Sequence, residues 1–391
     1  MLFLEDILVV DFSQFLSGPS TSLTLADMGA RVIKVEKPGT GDICRELYVS
    51  DVMIDGESSI FQAINRGKQS YVADLKSEAD LFKIKKLLQQ ADVVIHNFRP
   101  GVMERLGLGY ETVKAINPSV VYGSISGFGE EGPWKKLPGQ DLLLQSITGI
   151  SLLNGTAYEN PMPMGVSIVD ILSGTHLAQG ILSLLYQRAV SGQGGAVTVS
   201  MLESALDFQF EVLTCYYNDG NELPLRSAVN GGHPYVGAPY GIYKTADAWL
   251  ALAMTDIVNL GKLLGCAALT EYVNKNDWFE KRDEIKAILA AHLKTGATKE
   301  WLEMLEPADV WCSEVLSYGA LRKHPAYRAL DMEMTVTNSK GTRITTTRSP
   351  FKVDGALLTG TIAAPLLGEH TLAIDKEFGL NQLQKQDAVV S

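Results

Sequence analysis

Residues 7–36 read ILVVDFSQFLSGPSTSLTLADMGARVIKVE. The apolar run Ile7–Asp11 predicts a strand, Ser17–Met28 has helical spacing, and Arg31–Glu36 alternates as a strand does. Strand, helix and strand joined by short turns make a βαβ unit, which calls for a mostly parallel sheet with helices on its faces. The alternation continues with a strand at Ser70–Leu75, a helix at Glu78–Gln90, and strands at Asp92–Ile95 and Val120–Ser124. The expected fold class is α/β with a large Rossmann-like domain, whose ligands lie at the carboxyl ends of the strands.

At 391 residues the chain exceeds what one core usually holds, so a smaller second domain is expected. The composition is that of an ordinary globular protein, with 46% hydrophobic and 20% charged residues. Met1–Asp6 carries acids where a secretory leader would carry Lys or Arg, and no uninterrupted apolar run has the length of a membrane span. A cytoplasmic protein with no membrane partner is expected. Cys44, Cys215, Cys266 and Cys312 lack metal or disulfide spacing, and the six histidines fall in no metal pattern, so no metal site is expected. The formal charge of -11 argues against a nucleic-acid partner, although a local basic cluster can still hold a phosphorylated small ligand.

Pro163-Met164-Gly165-Val166-Ser167-Ile168-Val169-Asp170 leads small and apolar residues up to one carboxylate. Behind it Gly174, Ala178, Ile181 and Leu185 recur on one helical face, which puts Asp170 at a helix start. The ordinary reading of such an Asp is an N-cap. No glycine-rich turn matches GxGxxG, and Gly123-Ser124-Ile125-Ser126-Gly127 has Ile where a nucleophile elbow needs Ser. Beyond this helix come a strand at Ala196–Ser200, a helix at Leu202–Tyr217, and a stretch rich in Gly, Asn and Pro from Asp219 to Pro239. Further on, a strand is expected at Trp249–Ala253 and helices at Ile257–Leu264, Lys281–Leu293 and Lys299–Leu305.

Several segments together resemble the class III CoA-transferases, the family of formyl-CoA and carnitine CoA-transferases. They are Ser17-Gly18-Pro19, Met28–Glu36, Asn65-Arg66-Gly67-Lys68, Asn97-Phe98-Arg99-Pro100-Gly101, Gly123–Gly129 and Ala364–Thr371. The resemblance runs from near residue 4 to about residue 380. It implies a large domain of residues 1–200 and 346–391, a small α/β domain of residues 226–325, linkers at 201–225 and 326–345, and an interlocked homodimer.

It also implies that Asp170 is a nucleophile, cycling through an aspartyl mixed anhydride and an enzyme–CoA thioester. An ionised carboxylate suits that role because it attacks without a general base. Gly231 and Gly232 match a glycine-rich loop that covers the site, although relatives often carry a polar or basic residue where this chain has Gly232. The positions matching contacts to coenzyme A are Leu16, Lys37, Lys76, Asn97, Phe98, Arg99, Arg105 and Lys136. Leu16, Ile60, Tyr48 and Tyr235 are candidates for the acyl pocket. The expected substrates are an acyl-CoA and a small carboxylic acid, with no tightly bound cofactor.

Two other functions compete. An α-methylacyl-CoA racemase would exchange an α-proton with a histidine, but the matching position is Gln140, which cannot take up a proton. Beside it, Asp141 reads as a hydrogen-bonding structural acid. A non-catalytic CoA-ester binding protein is the alternative from another class.

Overall fold

The structure, a computed structural model, describes residues 3–47 and 52–381. Two compact units share the chain. The first comprises Met1–Leu144, Ser167–Ala205 and Leu330–Ser391, and the second comprises Gln145–Val166 and Leu206–Ala329.

The first unit is built on a six-stranded sheet. Its strands are β1 (Leu8–Asp11), β2 (Arg31–Glu36), β3 (Lys68–Val72), β4 (Val93–His96), β5 (Val121–Ser126) and β6 (Gly195–Ser200), in the order β3-β2-β1-β4-β5-β6. Every pairing is parallel, as the βαβ reading of residues 7–36 requires. Helices α1 (Ser17–Asp27), α2 (Glu78–Leu88), α3 (Asp141–Ile147) and α4 (Ile168–Ser191) follow in chain order. One face of the sheet buries Val10, Ile33, Val94 and Tyr71 with Ile84 and Leu87 of α2. Fully burying such side chains is worth roughly 1.5–3 kcal/mol each, and this supplies the driving force for the layer.

Helix α4 is long and apolar enough to cross a membrane. Val169, Leu177 and Ile181 are nevertheless fully buried, and Leu177 and Ile181 lie against β5 at Gly123, so the apolarity belongs to a core helix. The helix ends at Gly192, whose positive φ of 73° lets its amide turn back to the Arg188 carbonyl.

The C-terminal part of the first unit returns to the sheet edge. The His370 amide donates to the Ser70 carbonyl and the Gly368 amide to Ser70 Oγ, before helix α8 (Thr371–Glu377) begins. Tyr71 donates to Asp375 at 2.8 Å, and Lys83 pairs with the same carboxylate at 2.9 Å.

In the second unit, β7 (Gly241–Lys244), β8 (Trp249–Leu252) and β9 (Cys312–Glu314) form an antiparallel sheet in the order β9-β8-β7. Helices α5 (Ile257–Leu264), α6 (Arg282–Leu293) and α7 (Thr298–Leu305) cover it, burying Leu260, Ile285, Leu289 and Leu305 around Tyr243.

The division differs from the expected boundaries. Residues 145–166, expected in the large domain, pack in the second unit, where the Ala157 amide donates to the Ser227 carbonyl and Arg226 donates to the Glu159 carbonyl. The expected linkers are largely regular structure. Helices Met201–Phe208 and Phe210–Asn218 fill most of 201–225, and the strands Glu333–Thr337 and Arg343–Thr347 pair with each other within and around 326–345.

Candidate active site

Asp170 sits in the first unit as the third residue of α4, behind an N-cap at Ser167. A residue already in the helix directs its side chain along the helix face, so a carboxylate there does not serve as the N-cap of its own first turn. That task falls to Asp141, the first residue of α3, whose Oδ1 accepts from the amides of Val169 at 2.8 Å and Asp170 at 3.3 Å. The capping role expected of Asp170 is therefore supplied by a different acid, and the Asp170 carboxylate is left for other work.

Asp141 is held in place by a backbone crossing. A Cβ added to Gly139 would lie 2.5 Å from the Cα of Gly127, and one added to Gly127 would lie 2.6 Å from the Cα of Gly139. Only two glycines allow this approach, which fixes the turn after β5 against the segment entering α3.

Burial, together with the nearby charge of Asp141, raises the Asp170 carboxyl to about 7, while a hydrogen bond from the Ser17 side chain opposes the rise. A helix N-terminus by itself would hold the carboxylate ionised. Here desolvation outweighs the helix end, because the group is half-buried and shares its site with a second acid.

Ser17 is the first residue of α1 and is 4% exposed. Helices α1 and α4 touch at Gly174, where an added Cβ would lie 2.6 Å from the Ser17 carbonyl oxygen, and Thr21 Oγ1 donates to the Gly174 carbonyl at 3.0 Å. The loop before α1 is clamped on several sides. Lys34 Nζ donates to the Ser13 carbonyl at 2.7 Å, Asp42 Oδ1 accepts from the Phe15 amide at 3.2 Å, and Asn97 bonds both the amide and the carbonyl of Gln14. Phe15 takes a positive φ of 63°, a conformation costing of order 1–3 kcal/mol that these contacts hold in place.

Beneath the loop lies a buried ionic cluster. Lys34 pairs with Asp42 at 2.7 Å, and Lys68 reaches Asp11 at 3.5 Å and the Pro19 carbonyl at 2.9 Å. Burial lowers Lys68 to about 7 against the pull of Asp11. Alongside, Arg45 grips both oxygens of Glu36 at 2.8 and 2.7 Å and stacks 3.9 Å over Phe61.

The residues expected to meet coenzyme A fall into two groups. Lys37 after β2, Lys76 after β3, Arg99 after β4, Arg105 and Lys136 are all exposed. The first three share the carboxyl edge of the parallel sheet, where a phosphate-bearing ligand is expected to bind. Leu16 and Ile60 pack against Cys44, Phe61 and Ala364, while Phe98 stacks on His96 at 6.2 Å and packs against the sheet core. Asn97 spends both amide hydrogens on Gln14 and Ser17. Tyr48 lies outside the described residues.

Gly231 and Gly232 belong to the second unit. A Cβ on Gly231 would come within 2.3 Å of the Gly155 carbonyl oxygen, and one on Gly232 within 2.7 Å of the Tyr240 ring. Both positions are tightly packed backbone. Nothing in the Ser17-Gly18-Pro19 motif singles out the Ser17 side chain, and no local pattern marks the link from Asp141 to α4.

A family model described as CoA-transferase family III matches residues 4–371. An acetyl-CoA:oxalate CoA-transferase of Acetobacter aceti is 33% identical, over 96% of this chain and 95% of that protein. A succinate–glutarate CoA-transferase of Agrobacterium fabrum is 31% identical, over 94% and 93%. The crystal structure of a CAIB/BAIF family protein from Brucella suis superimposes with a TM-score of 0.83 at 30% identity, covering 96% of this chain and 98% of that one.

Proposed function

This chain belongs to CoA-transferase family III and is an acyl-CoA:carboxylate CoA-transferase, and on that premise we propose that Asp170 is its covalent nucleophile. One carboxylate oxygen of Asp170 attacks the donor thioester carbonyl, the C–S bond breaks, and CoA thiolate leaves an aspartyl mixed anhydride. The thiolate then adds to Asp170 Cγ and expels the donor carboxylate, giving an enzyme–CoA thioester. An acceptor carboxylate attacks Cγ in turn, expels CoA thiolate and forms a second anhydride. Attack of that thiolate on the acceptor carbonyl returns CoA to the acceptor and frees Asp170.

The observation that supports this best is the Asp170 carboxylate itself, half-buried and not consumed in capping its own helix. A nucleophile needs such a site, since a carboxylate fully hydrogen-bonded to amides is deactivated. The exposed Lys37, Lys76, Arg99, Arg105 and Lys136 supply positive charge for the phosphates of coenzyme A. In this reading Leu16 and Phe98 flank the bound ligand, and Gly231 and Gly232 belong to a glycine-rich loop of the second unit. The named relatives act on oxalate, succinate and glutarate, so a small dicarboxylic acid is the substrate class we assign to donor or acceptor.

The assembly we propose is an interlocked homodimer working in the cytoplasm. Its support is apolar surface that a lone chain leaves in water, including Tyr186 and Val190 of α4 and Phe210, Leu223 and Leu225 beyond it. Light scattering on the purified protein should give twice the chain mass, and a monomer would rule the assembly out.

Intact-mass analysis after incubation with acetyl-, succinyl- and oxalyl-CoA tests the chemistry. An acyl or CoA adduct mapped to Asp170 is the expected result. Adducts at other residues alone, or none with any donor, would remove Asp170 from the mechanism.

A further inference from the structure

We propose that Phe15 is a substrate-contact residue whose ring, held out of its own loop by a left-handed backbone, packs along the flexible arm that joins the phosphates of coenzyme A to the thioester. This rests on acyl-CoA binding with its phosphates at Lys37 and Arg99 and its thioester at Asp170, as proposed above. Phe15 has a φ of 63°, an outlier for a bulky side chain, whereas glycine adopts that conformation without strain. The turn itself therefore has no use for a ring at this position. The surroundings enforce the conformation all the same. The Phe15 amide donates to Asp42 Oδ1 at 3.2 Å, and the fully buried Lys34 pairs with Asp42 at 2.7 Å while donating to the Ser13 carbonyl at 2.7 Å. Asn97 meanwhile bonds both backbone groups of Gln14. Strain imposed from several sides is characteristic of places where a side chain is presented to a ligand.

The ring is presented to solvent. Of the apolar residues in the loop after β1, Phe12 is buried and Leu16 packs against Cys44 and Phe61, whereas Phe15 is 45% exposed.

The position of the loop identifies what meets the ring. Strand β1 lies between β2 and β4, and the strand order reverses between β1 and β4, where doubly wound sheets hold their ligands. The exposed Lys37 follows β2 and the exposed Arg99 follows β4, so cations flank the loop on both sides. Two residues after Phe15, Ser17 begins α1, and a Cβ on Gly174, one turn after Asp170, would lie 2.6 Å from the Ser17 carbonyl oxygen. The loop thus runs from the cationic edge to the helix that carries Asp170. Between its pyrophosphate and its sulfur, coenzyme A has an uncharged chain of methylene and amide groups, and an apolar ring buries methylenes favourably. A dicarboxylic acyl group, being charged, would only lose hydration against the same ring.

Adduct formation at Asp170, timed by rapid-quench intact-mass analysis, tests the assignment with two donors: acetyl-CoA, and acetyl-pantetheine, which keeps the arm and lacks the nucleotide. Phe15→Ala should slow the reaction at sub-saturating donor about 3- to 10-fold, the loss expected when nearly half of a phenylalanine side chain is no longer covered, and by the same factor with either donor. Phe15→Gly should lose the same factor yet melt above Phe15→Ala, because glycine takes the left-handed conformation unstrained. It also carries the kinetic test if Phe15→Ala does not fold. Parent-like rates in both variants, a loss confined to acetyl-CoA, or a loss confined to Phe15→Gly overturns the inference, the last by assigning the effect to the backbone. If the unaltered protein gives no adduct at Asp170, or reacts with acetyl-pantetheine as readily as with acetyl-CoA, the nucleophile or the phosphate edge proposed above has failed instead.

Discussion

An aspartate that titrates near neutrality changes what the enzyme does with pH. Attack requires the ionised form, so with the Asp170 carboxyl raised to about 7, log kcat/KM should fall with unit slope below about pH 7 and level off above it. A profile still flat at pH 5.5 would contradict that value. The same shift bears on stability. The folded state binds the proton more tightly than the unfolded chain, whose carboxyl lies near 3.8, so this group's contribution falls as pH rises from about 4 to about 7. Asp170→Asn should therefore abolish transfer and melt higher than the parent at pH 8, by about 1–3 kcal/mol, with the gap closing toward pH 4. Thermal melts at the two pH values check this. Asp170 was legible in the sequence because small and apolar residues isolate it ahead of a helical pattern. Asp141 was legible as a hydrogen-bonding acid but its partners on α4 were not, and Ser17 was not legible, since these pairings depend on which helices cross at Gly174 and which turns cross at Gly139, and no local pattern encodes either.

Among the elements, two crossings set the corner around Asp170, and a separate buried ion pair ties β2 to the turn that follows it. Gly139→Ala inserts a methyl 2.5 Å from a backbone carbon that has nowhere to go. It should cost about 1–3 kcal/mol and lower kcat by moving Asp141 off the α4 amides, read as urea midpoints beside steady-state rates. Arg45→Met leaves Glu36, 3% exposed, with Ser70 as its remaining side-chain donor. The loss should be about 3–5 kcal/mol near neutral pH. Arg45 holds Glu36 ionised below its ordinary range despite burial, so the stability it confers is present above about pH 4.5 and fades as acid protonates the carboxylate. Equal destabilisation at pH 4 and pH 7 would argue against a charge effect. The strands of the parallel sheet were legible because buried parallel strands are continuous apolar runs. Of the small sheet only Trp249–Leu252 was legible; Gly241–Lys244 and Cys312–Glu314 are four and three residues long and mix polar with apolar residues.

At the scale of the molecule, the units are assembled from separated pieces of chain. Residues 145–166 leave the first unit for the second because their partners are Arg226 and Ser227, a pairing over 60 residues distant that no sequence pattern near either segment announces. The large sheet is likewise finished at β3 by residues 368–377. A chain ending at Pro365 should expose that edge, and size-exclusion chromatography should find it aggregated where the full chain elutes as one species. Tyr71 and Asp375, bonded at 2.8 Å, are separated by 304 residues. During synthesis, then, the strand at Lys68–Val72 leaves the ribosome long before the segment that covers it. The nascent first unit spends most of translation with an open edge and a missing helix, while the second unit can already close. The segment that completes the first unit's sheet is made after the whole of the second unit, and the interval before it arrives is when a chaperone would be needed.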